Sequence, residues 1–179
     1  YRYLLFFFFF LDYKGLDWLL QSLADERLSR LPLRLIVAGE FYSDNGPYLR
    51  LIKELGIQEK VVLKADYIPN DQINNYFCAA DLLVQPYKTA TQSGVTQIGY
   101  HFHKAMLVTD VGGLGEIIAH QKSGYVVKPE ISAIADAIVD FYTHDRQLPF
   151  ETETIRMKEQ FSWSHMTDVL MDLLHEINK

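Results

Sequence analysis

The chain holds a single cysteine, Cys78, so no internal disulfide is available to it. A reducing cytoplasm is compatible with that usage. Cys78 sits in NNYFCAADLL, a helix pattern leading into a strand, and is expected as a small core residue. No apolar run reaches the ~20 residues that span a bilayer. The apolar start YRYLLFFFFFL lacks a cleavage site of small residues and does not read as a signal peptide. Basic charge is in deficit: 17 Lys and Arg face 23 Asp and Glu, and the net charge of -6 argues against a general nucleic-acid surface. A G-x-S-x-G elbow, an H-E-x-x-H helix and a G-x-x-x-x-G-K-[ST] phosphate loop are all absent. His101 and His103 are two apart and share no helix face. The other histidines are scattered, so no metal site is expected. No fixed-period repeat and no low-complexity linker interrupts the chain.

What is present is a sizeable hydrophobic fraction, 49% of 179 residues, enough for the core of one domain. Strand and helix patterns alternate. Residues 3–10 form a continuous apolar run, as a parallel strand buried on both faces requires. Within it stands the five-phenylalanine run 6–10, an aggregation hazard if exposed. Further strands are expected over 33–38, 61–65, 81–85, 105–110 and 124–127. Helices are expected over 15–28, 48–55 (closed by Gly56), 69–79, 93–103 and 131–142, with a tail helix over about 157–178. The acidic segment 151–153 reads as a surface hinge before that tail. This alternation implies a Rossmann-like α/β three-layer sandwich, a parallel sheet of about six strands with helices on both faces, in one domain over 1–179. The chain begins without Met, directly in a strand, the pattern of a piece of a longer protein.

Ligands of such sheets bind outside the carboxyl ends of the strands. The most informative stretch is therefore 85–116, QPYKTATQSGVTQIGYHFHKAMLVTDVGGLGE, where two strand ends deliver loops and helix starts to one edge. Gln92, Ser93, Gly94 and Val95 combine polar side chains, a glycine and helix-start amides, which suit a diphosphate. A plain N-cap, with Ser93 capping Thr96, explains the same residues without a ligand. Lys14 and Gly15 follow the first strand; the lysine reaches an anionic ligand or is a solvated turn residue. Gly112 and Gly113 open a further helix, a weak signal by themselves. Tyr67 and Ile68 offer a flat apolar wall to a base, or are a strand exit before Pro69. Glu116 lies one turn into its helix, where it also suits the helix dipole.

The motifs DYKGLDWLLQSL, LRLIVAGE, VVLKADYIPNDQINNYFCAADLLVQPY, KAMLVTDVGGLGEII, SGYVV and FSW resemble, in order and spacing, the C-terminal donor-binding half of GT-B glycosyltransferases, family four in particular. The resemblance implies transfer of a sugar from a nucleotide-sugar donor to a glycan, lipid or other acceptor, with retention and without a metal or other cofactor. It implies an N-terminal acceptor-binding domain as the missing partner. Peripheral membrane association of the full, otherwise cytoplasmic enzyme stays open. By the same resemblance Lys14 contacts phosphate, Tyr67 and Ile68 edge the base, and Gly39 and Glu40 line the cleft. Ser93, Gly94 and Val95 lie at the diphosphate. Gln97 or Gln92 is expected to take over the ribose or sugar hydroxyl contacts, with Glu116 beside it.

The sequence departs from the family at several positions. Ala90 and Ile98 stand where a pair of glutamates is common, and the segment TQSGVTQ marks a subfamily version. Phe8 and Leu11 stand where a glycine and a phosphate-binding arginine are usual; losing one charge-assisted contact costs ~1.5–3 kcal/mol. These losses keep a second reading open, a non-catalytic nucleotide-binding or protein-interaction module on the same scaffold. A sugar-phosphate isomerase of related architecture is a third.

Overall fold

The computed structural model describes residues 1–7, 9–42, 44–159 and 163–177. The run of expected strands and helices is realised as β1 (Arg2–Phe7), α1 (Leu16–Leu23), α2 (Glu26–Ser29), β2 (Leu33–Ala38), α3 (Gly46–Glu54), β3 (Val61–Lys64), α4 (Ile73–Ala79) and β4 (Leu82–Gln85). There follow α5 (Gly94–His101), β5 (Ala105–Thr109), α6 (Leu114–Ile117), β6 (Gly124–Val127), α7 (Ile131–Thr143), α8 (Gln147–Lys158) and α9 (Trp163–Ile177). The six strands form one parallel sheet in the order β3-β2-β1-β4-β5-β6.

Alternation along the strands sends side chains to two separate cores. Leu4 and Phe6 of β1, Leu35 and Val37 of β2, and Leu107 of β5 face a core closed by α1, α3 and α7. Leu5, Phe7, Ile36, Met106 and Val108 face the opposite core, closed by Phe77 of α4, Val95 and Tyr100 of α5 and Leu114 of α6. The two layers of helix follow from strands that are apolar on both faces.

Four expectations need correction. The first strand stops at Phe7; Phe10 makes only an isolated parallel bridge to Phe41 and stacks on Phe6 at 5.5 Å, and Phe8 lies outside the described residues. The helix expected over 15–28 breaks at Ala24, because the Asp25 carboxylate accepts the Arg27 amide hydrogen and starts α2 afresh. Cys78 is exposed: its neighbour Phe77 is the residue turned inward, and one helical step of about 100° carries Cys78 away. Residues 151–153 are not a hinge but the middle of α8, anchored by buried Phe150 and Thr154 one turn apart. The expected tail helix is α9, starting at Trp163; Phe161 and Ser162 of the FSW motif and residue 178 lie outside the described residues. No helix among the described residues is long and apolar enough to cross a membrane.

Candidate functional site

Sheet order reverses at the centre: from β1 the chain moves outward through β2 and β3, then returns to β4 on the other side of β1. The loops leaving β1 and β4 diverge there, and a crevice opens between them. Lys14 stands on the first of these loops and Ser93 on the second.

Backbone contacts too close for a side chain hold the two loops together. Gly15 takes φ 71°, and a Cβ there would stand 1.9 Å from the Pro86 carbonyl oxygen. The Lys88 amide donates to the Tyr13 carbonyl at 2.7 Å. On the far side Gly112 takes φ 52°, and its Cβ would stand 1.8 Å from the Ala90 oxygen, while the Gly113 amide donates to Thr91 at 2.8 Å. Only glycine fits positions 15 and 112. Lys88, in the loop leaving β4, donates to Asp12 at 3.1 Å and Asp17 at 3.0 Å. Burial alone would lower its pKa, but the hydrogen bonds and charges of Asp17 and Asp12 prevail and raise it. Its charge serves the loop contact.

Within the crevice Lys14, only 7% exposed, donates from Nζ to the Tyr87 hydroxyl at 3.1 Å. The same ammonium lies 4.7 Å from the centroid of the Tyr87 ring. Burial lowers the Lys14 pKa, against a smaller opposing effect of Tyr13. Tyr87 reaches Ser93 Oγ at 3.1 Å, and Ser93 Oγ donates to Gln85 Oε1 at 2.8 Å. Ser93 is the N-cap of α5, accepting the Val95 amide hydrogen at 3.2 Å rather than that of Thr96. Tyr13, Lys14, Tyr87, Gln92, Ser93, Gly94, Val95 and Ile98 line this cleft of about 290 Å³. Gly94 opens onto it with nothing within 4 Å of where a Cβ would stand.

Beside it, at the ends of β1, β2 and β3, lies a second, smaller and largely apolar cleft of about 70 Å³. Gly39, Glu40, Tyr67 and Ile68 line it together with Phe7, Phe9, Asn70 and Ile73. The residues singled out in the sequence thus fall into two groups on one sheet edge. Lys14, Gln92, Ser93, Gly94 and Val95 form the polar cleft; Gly39, Glu40, Tyr67 and Ile68 form the apolar one. Gln97 and Glu116 are exposed and line neither. The helix opened by Gly112 and Gly113 is α6, only four residues long.

Sequence reasoning missed Tyr87, Phe9 and Asn70 as lining residues. The signal for Tyr87 was its place directly after Pro86 at the end of β4. Phe9 carried no separate signal, because it stood inside a run read wholly as strand.

The family profile described as Glycosyl transferases group 1 matches residues 2–144. This chain belongs to that family. It is 26% identical over 173 residues to the D-inositol 3-phosphate glycosyltransferase of Rhodococcus erythropolis, covering 89% of this chain and 38% of that one. The C-terminal domain of a group 1 glycosyl transferase from Francisella tularensis superposes with TM-score 0.77 at 17% identity, over 87% of this chain and 83% of that one. Anabaena HepE, solved in complex with UDP, superposes with TM-score 0.76 at 20% identity, over 98% of this chain and 49% of that one. The fold is that of the C-terminal half of GT-B glycosyltransferases. The chain spans 29% and 38% of the length of the curated relatives it matches.

Proposed function

We propose that this chain is the donor-binding half of a retaining, metal-independent glycosyltransferase that moves a sugar from a nucleotide-sugar donor to a glycan, lipid or other acceptor held by a separate N-terminal domain. The observation that carries the reading is the meeting of Lys14 with the α5 start at the β1–β4 reversal. A buried ammonium and the first amides of a helix are complementary to a diphosphate. The apolar cleft beside them, walled by Phe7, Phe9, Tyr67 and Ile68, suits a flat base. HepE, of the same fold, binds UDP. As the glycosidic bond to the donor breaks, charge grows on the departing nucleoside diphosphate. On this reading Lys14 and the α5 amides would stabilise that charge without a metal ion. Gln97 and Glu116 would meet ribose or sugar only through the remainder of the site, since neither lines a cleft here.

Calorimetric titration of UDP, GDP and ADP into the chain tests the reading. One of them binds, and Lys14→Met weakens it by about 10- to 100-fold, the worth of a charge-assisted hydrogen bond. Absence of binding at millimolar nucleotide by a folded chain overturns the reading. One observation favours a non-catalytic nucleotide-binding module instead: Ile98, where the family resemblance expects a carboxylate, lines the polar cleft. Turnover of a donor sugar by a protein that includes the acceptor domain decides between the two.

A further inference from the structure

We infer that Tyr87 is a positioning residue, whose hydroxyl fixes the Lys14 ammonium in the polar cleft and couples it to the start of α5. The inference rests on the reading of that cleft as a diphosphate site.

With Gln85 Oε1 facing Ser93, proton counting gives the chain of hydrogen bonds its direction. A serine hydroxyl has one hydrogen and accepts two hydrogen bonds. Ser93 gives its hydrogen to Gln85 Oε1 and accepts the Val95 amide hydrogen. Its remaining contact, the 3.1 Å approach of the Tyr87 hydroxyl, must therefore use the hydrogen of Tyr87. The lone pairs of Tyr87 Oη are left to accept from Lys14 Nζ. The relay runs Lys14 to Tyr87 to Ser93 to Gln85. Turning the Gln85 amide over, so that its partnerless buried Nε2 faced Ser93, would reverse the last two links; in either orientation Ser93 has only one hydrogen, already used within the relay.

Two consequences follow. Ser93 has no hydrogen to spare for a phosphate; it caps α5 and ends the relay, while Gly94 keeps its open backbone. Tyr87 is also held at both ends. Its carbonyl accepts from Thr109 Oγ1 of β5 at 2.6 Å, its ring lies under the Lys14 ammonium, and the residue is 3% exposed. A buried phenol, whose pKa burial raises, stays protonated and keeps its hydrogen for Ser93. The lysine is thus aimed by a rigid ring fixed to the sheet.

Tyr87→Phe keeps the ring and removes only the link. The test is NMR of the chain with 13C-labelled lysine, titrated with sodium pyrophosphate, which presents a diphosphate without a base. In Tyr87→Phe the apparent Kd for pyrophosphate rises about tenfold, the loss of one hydrogen bond to a charged group. Without ligand, the Lys14 titration midpoint moves to lower pH, because the charged form has lost an acceptor. Ser93→Ala is the second variant: it frees the Tyr87 hydroxyl to turn, so affinity falls by a smaller factor. If Lys14→Gln abolishes the pyrophosphate response but Tyr87→Phe changes neither affinity nor midpoint, the positioning role is overturned and the diphosphate site stands. A lowered melting temperature in Tyr87→Phe without movement of the Lys14 midpoint makes Tyr87 merely structural and also overturns the role. If Lys14→Gln binds pyrophosphate like the parent chain, the diphosphate reading itself falls, and Tyr87 with it.

Discussion

Lys14 is buried where an anion would meet it, and burial penalises its charged form. The sign of the pH effect follows. With the folded pKa below the ordinary value of 10.5, the folded chain sheds its proton before the unfolded chain does. The penalty is present in full below the folded pKa and is relieved as pH rises toward the ordinary value. Lys14→Met therefore melts at a higher temperature than the parent near pH 7, by about 2–4 °C for each kcal/mol recovered, and the difference narrows on titration toward pH 10. Calorimetric scans across that range measure it, and an unchanged or lower melting temperature at pH 7 refutes it. Glycines give a second prediction. Gly15 and Gly56 both take positive φ, 71° and 66°, but only Gly15 has backbone where a Cβ would go. Gly56→Ala costs about 1–2 kcal/mol from backbone conformation alone, and Gly15→Ala costs clearly more, measured by urea unfolding. At this scale the sequence was partly legible. Lys14 and Ser93 stood out by residue type and place after a strand. Cys78 did not, since neighbours on a short helix differ in burial by rotation alone.

The helices show where periodicity is informative and where it is silent. α1 places Leu16, Leu19, Leu20 and Leu23 on one face, and the sequence shows it at once. α8 buries only Phe150 and Thr154 in twelve residues, so its pattern reads as polar and its acidic centre as a hinge. Its hold is local and specific. Thr154 Oγ1 donates to the Phe150 carbonyl at 2.8 Å, and Lys104 pairs with Glu151 at 3.2 Å. Phe150→Ala is expected to cost about 3–5 kcal/mol, while Glu153→Gln on the same helix leaves stability nearly unchanged. Denaturant midpoints of the two variants check this; equal midpoints would show that α8 contributes little to the fold.

The whole sheet was the most legible level, because strands apolar on both faces admit helices on both sides and little else. The division of the edge into a polar and an apolar cleft was not legible. It depends on where β1 stops, and a run of phenylalanines carries no end signal. The five-phenylalanine run that read as a hazard is largely packed away, with Phe6, Phe7 and Phe10 at most 5% exposed. Exposure falls instead on α9, where Met166, Leu170, Leu173 and Ile177 recur at helical spacing and are each at least 45% exposed. Such a stripe favours self-association. Light scattering of the concentrated chain is expected to show it, and the double variant Leu170→Glu, Leu173→Glu to suppress it without shifting the melting temperature.

The glycine contacts at 15 and 112 set one further property of the rim. They fasten the segment between β4 and α5 to its neighbours on both sides, backbone against backbone. A cradle fastened in that way is preorganised: the entropy of arranging it is lost when the chain folds, not when a guest arrives. Capture of a diphosphate would then proceed with little rearrangement of the backbone, and selectivity would reside in the shape already standing.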